Sequence, residues 1–240
     1  MKRKRSEEYE VLEEVFDRST LMTVYNLLNH GILDHIYGVV GSGKESRIYL
    51  GVDPKGESLA VKIYLVVSSE FKSGMLTYII GDPRFKNVKR DTRSLVYSWA
   101  QKEFKNLQIA YASGIRVPKP IHVEKNILIM EFIGDNGVPA PLLKEKPPRN
   151  PSRMYKTLLS YVKTLYLKAG LVHGDLSEYN IMNYDEAPVI FDFSQATPIE
   201  HPMVEEFLLR DLNNLNKFFK DLGIRTRTAE SLYKWVTKYE

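Results

Sequence analysis

The run from Val172 to Ile181, Val-His-Gly-Asp-Leu-Ser-Glu-Tyr-Asn-Ile, sets Asp175 and Asn180 five residues apart between apolar flanks. A hydroxyl nucleophile needs an acceptor that orients it and takes its proton, and Asp175 can be that group. Magnesium takes hard oxygen ligands, and the side-chain carbonyl of Asn180 is one. Twelve residues beyond Asn180, the apolar run Val189-Ile-Phe ends on Asp192. A carboxylate there can bridge a metal to phosphate oxygens. Asp and Asn are also ordinary caps of helices and turns. Two such clusters in order, each beside an apolar run, favour the catalytic reading. The chemistry is then phosphoryl transfer, with Asp175 as base and Asn180 and Asp192 as metal ligands.

Lys62 lies in Leu59-Ala-Val-Lys-Ile-Tyr. Strand alternation puts Ala60 and Lys62 on one face and Val61 and Ile63 on the other. Lys62 can reach the α- and β-phosphates of a nucleotide, as in the Val-Ala-Ile-Lys pattern of kinases; otherwise it is an edge-strand lysine facing water. Glu103 discriminates between these. It shares a helix face with Trp99 and Leu107, at i−4 and i+4, and a buried glutamate wants a cationic partner. Lys62 is the obvious one, unless Glu103 is merely half-exposed. Gly38 to Glu45 reads Gly-x-x-x-x-Gly-Lys-Glu, a Walker A loop but for its last position, which must be Ser or Thr to ligate magnesium. The alternation after Ser46 fits a strand, not the helix that a Walker loop opens. A phosphate-covering strand–turn–strand fits better, with Ser42, the nearby amides and Lys44 facing phosphates. Gly-Ser-Gly is also plain hairpin chemistry.

The 240 residues suit one large domain or two small lobes. There is no cysteine, which excludes disulfides, thiolate catalysis and cysteine-ligated metal centres. The five histidines are scattered without metal-ligand spacing. No apolar run reaches the length of a membrane span, and the basic start lacks the apolar core of a signal peptide, so a cytoplasmic protein is expected. A net charge of +4 tolerates a nucleotide or RNA partner. Lys86, Lys89, Arg90 and Arg93 form a basic cluster suited to nucleic-acid phosphates or, equally, to a solvated face.

These residues need elements to hold them. A helix is expected over 9–30, with Leu21, Val24, Tyr25 and Leu28 at helical spacing, a cap at Ser19 or Thr20, and Gly31 as its stop. Strands are expected over 35–40, 47–52 and 58–67. Residues 68–91 lack a clean period, which suggests a functional or mobile connection carrying Ser68, Ser69, Ser73 and Thr77 as phosphorylation candidates, with Thr92 and Ser94 just beyond. A helix follows over 92–112, then a hairpin of 119–123 and 126–133. Five prolines between 138 and 151 read as an extended linker. Ser152 caps a helix running to Ala169, and two more helices cover 203–222 and 228–239. Strands first and helices second predict an α+β molecule: a helical extension over 1–34, a mainly β lobe over 35–133, and a mainly helical lobe over 134–240, with a hinge near 130–135.

Taken together, the sequence resembles the RIO family of atypical protein kinases, a trimmed kinase fold. The marks are Gly41-Ser-Gly-Lys-Glu-Ser, Ala60-Val-Lys-Ile-Tyr, Tyr78-Ile-Ile-Gly-Asp-Pro-Arg-Phe, Trp99-Ala-Gln-Lys-Glu-Phe-Lys-Asn-Leu, Met130-Glu-Phe-Ile-Gly, His173-Gly-Asp-Leu-Ser-Glu-Tyr-Asn-Ile-Met and Phe191-Asp-Phe-Ser-Gln. The resemblance implies that Asp175 is the catalytic aspartate and that Asn180 and Asp192 are the metal ligands. It makes Lys62 the phosphate-binding lysine and Glu103 its partner. Ser42, Gly43, Lys44, Glu45 and Ser46 become the phosphate loop, and Glu131 to Ile133 the adenine-contacting hinge. It implies ATP with Mg2+, or Mn2+ in its place, a Ser/Thr acceptor on this or another protein, and a role on pre-ribosomal particles or rRNA in small-subunit maturation. The Gly-Asp-Pro-Arg-Phe stretch and the Trp-Ala-x-Lys-Glu-Phe helix point to the first RIO type, in an archaeal-like form, although the loop at 41–46 leans toward the second. Two other uses of the same fold are an ATPase that cycles on and off pre-ribosomal particles and an idle, nucleotide-sensing ribosome-binding protein. The full set of Lys62, Glu103, Asp175, Asn180 and Asp192 argues against idleness.

Overall fold

The computed structural model describes residues 16–66, 75, 77–86, 88–89 and 91–238. The start of the helix expected over 9–30, and Ser68, Ser69, Ser73 and Arg90, lie outside the described residues. Helix α1 spans Arg18–Asn29. Its cap is Asp17, which accepts from the Thr20 amide at 2.8 Å, and not Ser19 or Thr20. The inward face also differs from expectation: Thr20, Thr23, Val24 and Leu27 are buried while Tyr25 is exposed.

The central sheet holds β1 (His35–Ser42), β2 (Ser46–Val52), β3 (Ser58–Tyr64), β4 (Pro120–Glu124) and β5 (Ile127–Glu131) in the order β1-β2-β3-β5-β4. Every neighbouring pair is antiparallel. Period-two alternation on β3 then sorts side chains between two layers. Leu59, Val61 and Ile63 pack with Val24, Leu27, Leu33, Ile127 and Ile129 beneath α1. Ala60, Lys62 and Tyr64 face the other way, toward helix α2 (Thr92–Ala112). Asp91 caps α2 through the Ser94 amide at 2.9 Å. Its buried face carries Val96, Trp99, Ala100, Glu103, Leu107 and Ala110, with Lys102 and Asn106 also buried.

The segment expected as an extended linker is bonded into the fold. A short hairpin pairs β6 (Gly134–Asp135) with β7 (Val138–Pro139). Gly134 has φ +151°, and a Cβ there would lie 2.1 Å from the Val138 carbonyl oxygen, so the turn requires glycine. The Leu143 amide then donates to Ile181 and the Asn183 amide to Pro141, at 2.7 and 2.9 Å. Prolines remove donors from this stretch, but the Leu143, Lys144 and Arg149 amides find acceptors at Ile181, Glu178 and Glu186 in the lobe behind it.

Helix α3 spans Pro151–Leu167. Its cap is Asn150, one step before the proline, rather than Ser152. Proline suits the first helical position because its missing N–H would be unpaired there anyway, and it keeps its predecessor out of the helical region. Two short pairs follow: β8 (Leu171–Val172) with β11 (Thr197–Pro198), and β9 (Ile181–Tyr184) with β10 (Ala187–Ile190). Helices α4 (Val204–Asp221) and α5 (Ala229–Thr237) close the chain. One apolar cluster runs from Ala60 and Tyr64 through α2 to Leu158, Phe193, Phe207 and Phe219, so the two halves share a core. No helix among the described residues is long and apolar enough to cross a membrane.

Gly51 tests the packing of the sheet. A Cβ there would lie 2.7 Å from Val61 Cγ2 and 3.2 Å from Leu33 Cδ2. Overpacking of this kind costs about 1–3 kcal/mol. Gly51→Ala is expected to lower the chemical denaturation midpoint accordingly with the slope unchanged.

Candidate active site

Lys62 is 3% exposed, and its Nζ lies 2.9 Å from both Glu103 Oε1 and Asp192 Oδ1. Strand β3, helix α2 and the turn after β10 each contribute one member of this triangle. Burial alone would lower the Lys62 pKa, but the Asp192 and Glu103 carboxylates outweigh it and hold the pKa above its ordinary value. Burial pushes the Glu103 carboxyl up against the pull of Lys62. The geometry favours its ionised form, because the Tyr64 hydroxyl donates to its other oxygen. Burial also opposes ionisation of Asp192, yet Lys62 and a hydrogen bond with the Ser194 side chain hold its pKa down to about 2. Asp192 adopts a left-handed backbone, φ 59°, which aims its carboxylate at Lys62 while 37% of the side chain stays exposed.

Lys62 and Asp192 of this triangle line a cavity of about 800 Å³. Ser42, Gly43 and Ser46 lie on its wall with Lys62, the 131–133 stretch, Asn180 and Asp192. Lys44 and Glu45 do not. The Gly43 amide bonds to the Ser46 carbonyl at 2.9 Å, which leaves Lys44 and Glu45 at the two central positions of a hairpin turn, with Lys44 exposed. A strand runs on from Ser46, so the loop opens no helix, as its alternation implies. Glu45 nonetheless senses the site: burial and the nearby Asp192 carboxylate push its pKa up. Glu131 reaches the cavity wall, but Arg116 holds its carboxylate through two 2.8 Å bonds. Any contact from Glu131 to a ligand therefore runs through its backbone. Ile133 is buried on the same wall, and its carbonyl accepts from Ala140 at 2.9 Å.

Asp175 is not on the wall, although Asn180 is. Asn180 Nδ2 donates to the Asp175 carbonyl at 2.7 Å and to Asp175 Oδ2 at 3.2 Å. That leaves the Asn180 oxygen free of this pairing. Burial and the Asp192 charge push the Asp175 pKa up, which makes it a stronger base than a solvated aspartate.

Four residues hold the site through backbone partners and have no role predicted from the sequence, although Lys102 and Asn106 lie within the Trp99–Leu107 mark. Asp211, on α4, accepts from the Gly174 and Leu176 amides, each at 2.8 Å, and so brackets Asp175. Burial pushes its carboxyl up to about 7. The neighbouring Arg210 bonds the Gly174 carbonyl. On α2, Lys102 Nζ donates to the Ser194 carbonyl at 2.8 Å, and burial pulls its pKa down to about 7. Asn106 Nδ2 donates to the Phe193 and Ala196 carbonyls at 3.0 and 2.9 Å. Of the basic cluster near 86–93, Arg93 pairs with Asp17 at 3.0 Å, while Lys86 and Lys89 are exposed.

A family model of the RIO domain matches residues 47–232. The chain belongs to the RIO family. Two archaeal relatives, each a RIO-type serine/threonine-protein kinase Rio1, are 40% identical to it. The one from Haloferax volcanii matches over 99% of this chain and 81% of its own length. The one from Methanocaldococcus jannaschii matches to the same extent. The human serine/threonine-protein kinase RIO1 is 35% identical over 94% of this chain and 40% of its own length. The chain is thus a RIO-type protein kinase of the first type, and the Gly-Ser-Gly loop is a local departure. The structure of the Rio2 kinase–ADP/Mg2+–phosphoaspartate complex from Chaetomium thermophilum superposes with a TM-score of 0.69 at 24% identity, covering 92% of this chain and 67% of that one. That likeness establishes the α+β kinase-like fold.

His173, two residues before Asp175, is a core residue. Its Nε2 bonds the Phe191 carbonyl at 3.0 Å and therefore carries the proton, while buried Nδ1 has no hydrogen-bond partner among the described residues. A second proton would go onto an unpartnered nitrogen, and burial lowers the pKa from 6.5 to about 4. Between those values an unfolded chain takes up a proton that the folded one refuses, so His173 costs stability as pH falls, by roughly 3 kcal/mol at most. Asp211 acts in the opposite sense, binding its proton first in the folded state. The clean measurement is therefore the wild-type minus His173→Gln stability difference, which is expected to fall steadily from pH 6.5 to 4.

Proposed function

We propose that the chain transfers the γ-phosphate of ATP to a Ser or Thr hydroxyl with Mg2+, and that Asp175 is the base. The observation that carries this is the Lys62–Glu103–Asp192 triangle, whose Lys62 and Asp192 line a cavity with Ser42, Gly43, Ser46 and the 131–133 stretch on its wall. The donor set suits Mg2+. Among the described residues no three His, Cys, Asp or Glu side chains gather to hold a metal alone. Magnesium at nucleotide sites is held by one or two protein oxygens plus substrate phosphates, and Asn180 and Asp192 offer that pair on the cavity wall. When bound, the ion neutralises charge developing on the transferred group. Lys62, fixed by Glu103, binds the phosphates. Asp175 orients the acceptor hydroxyl and takes its proton late, and the 131–133 backbone receives the adenine. The names of the Rio1 relatives support the kinase reading, and the ADP/Mg2+ of the Rio2 complex supports the ligands.

A second reading keeps these residues and makes net ATP hydrolysis the output, on and off a pre-ribosomal particle. The phosphoaspartate in the Rio2 complex favours it, since an aspartyl phosphate is a hydrolysable intermediate. The role in small-subunit maturation rests on the family resemblance, with the basic net charge of +4 in keeping. Comparing γ-phosphate release with transfer to protein, with and without ribosomal particles, separates the two outputs.

Asp175→Asn is expected to slow single-turnover transfer by about 10²- to 10⁴-fold and leave nucleotide affinity within a few-fold, because Asp175 meets the acceptor and not the nucleotide. Transfer near the wild-type rate would refute the assignment. Asn180→Ala and Asp192→Ala are expected to weaken nucleotide binding more with Mg2+ than without it. Equal losses in both conditions would make these residues structural.

A further inference from the structure

Gly81-Asp82-Pro83-Arg84-Phe85 is left without a task by the function proposed above. Asp82 is 3% exposed and grips its neighbour closely. Arg84 Nε donates to both Asp82 oxygens at 2.9 and 3.1 Å, and Nη2 donates to Oδ2 at 2.6 Å. The remaining arm, Nη1, donates to Asn106 Oδ1 at 2.7 Å. That bond settles the direction of a fully buried amide. With the oxygen held by a guanidinium, the NH₂ end must face away, and there it donates to Phe193 and Ala196. Lys102, one turn earlier on the same helix, takes the Ser194 carbonyl. Three of the four carbonyls from 193 to 196 are thus captured by α2.

The captured turn begins at Asp192. A left-handed aspartate costs on the order of 1 kcal/mol and persists only where its surroundings impose it. We propose that Asp82, Arg84 and Asn106 act in series, with Lys102 beside them, as positioning residues, a latch that holds the 193–196 turn and thereby sets the Asp192 carboxylate against Lys62. Helix α2 then performs two tasks from adjacent positions: Glu103 places the lysine, while Lys102 and Asn106 place the aspartate. Gly81 supports the arrangement from outside. It has φ +96°, and a Cβ there would lie 2.7 Å from Pro202 Cδ, so only glycine lets the segment sit this close to the start of α4.

The consequence for metal rests on the proposed role of Asp192, and two readouts keep the questions apart. The first is hydrogen–deuterium exchange of the 192–197 amides in the ligand-free protein, which needs no metal. Arg84→Ala and Asn106→Ala are each expected to speed it, and the double variant is expected to exchange no faster than Asn106→Ala, because the groups act in series. The second is ADP binding by calorimetry. Arg84→Ala is expected to weaken binding in Mg2+ by about 10- to 100-fold, as is typical for residues that orient metal ligands, while changing metal-free binding by less than about twofold. Unchanged exchange in Arg84→Ala, or losses that add in the double variant, would overturn the latch. Should Asn106→Ala not fold, Arg84→Ala decides alone, since its side chain is 26% exposed. If Asp192→Ala binds ADP equally well with and without Mg2+ relative to wild type, the metal assignment falls, and exchange still judges the latch.

Discussion

The placement of an ammonium group on the inner face of a strand, almost out of contact with water, is the constraint on which the rest depends. A buried lysine without partners gives up its proton, and removing one partner of a buried pair costs about 3–5 kcal/mol. Lys62 stays charged because two carboxylates reach it from sequence distances of 41 and 130 residues. Satisfying it therefore obliges α2 to pack against β3 and the 191–195 turn to pack against α2. The fold around the site follows from discharging that obligation. The shared apolar cluster, running from Ala60 through Trp99 to Phe193 and Phe207, is the packing that keeps these three segments in contact.

Part of this arrangement is legible in the sequence. Alternation on β3 places Lys62 opposite Val61 and Ile63, and helical spacing places Glu103 between Trp99 and Leu107. Both inferences use side chains that announce their face by period, and the fold joins the two at 2.9 Å. The core of α2 and the ends of α4 and α5 come out close to expectation for the same reason. Residues that bond to backbone are a different matter. Asp211 meets amides 35 and 37 residues away, and Asn106 meets carbonyls 87 and 90 residues away. A backbone amide or carbonyl has no letter in the sequence, so such partnerships leave no pattern to read.

The errors at element ends have equally local causes. Asn150 displaces Ser152 as a cap because a proline intervenes, and Asp17 displaces Ser19 because the helix begins one residue before it. The stretch of prolines after Val138 looks like a linker on composition. Its Leu143 amide nevertheless donates to Ile181, its Pro141 carbonyl accepts from Asn183, and Leu143 is fully buried. Composition measures how stiff a segment is; it does not say whether the neighbouring lobe offers acceptors. The motif around Lys44 directs it toward phosphates, yet the Gly43–Ser46 bond makes it the tip of a hairpin.

The charge balance of the site shows why the lysine has two acidic partners and not one. Glu103 is wholly buried and cannot turn elsewhere, whereas Asp192 is 37% exposed toward the cavity. On the function proposed above, an arriving polyphosphate competes with Asp192 for Lys62, while Glu103 keeps the ammonium from following. Asp192, released from Lys62, would then be the residue to hold a cation accompanying the phosphates. Glu45, Asp175 and Asp192 concentrate negative charge here, and the Asp192 charge opposes ionisation of Glu45 and Asp175. A cation relieves that repulsion, and the phosphates it carries neutralise Lys62. The site is thus tuned for a ligand that brings both signs of charge together. A phosphate alone meets the carboxylates, and a cation alone meets Lys62; only their complex answers the whole set.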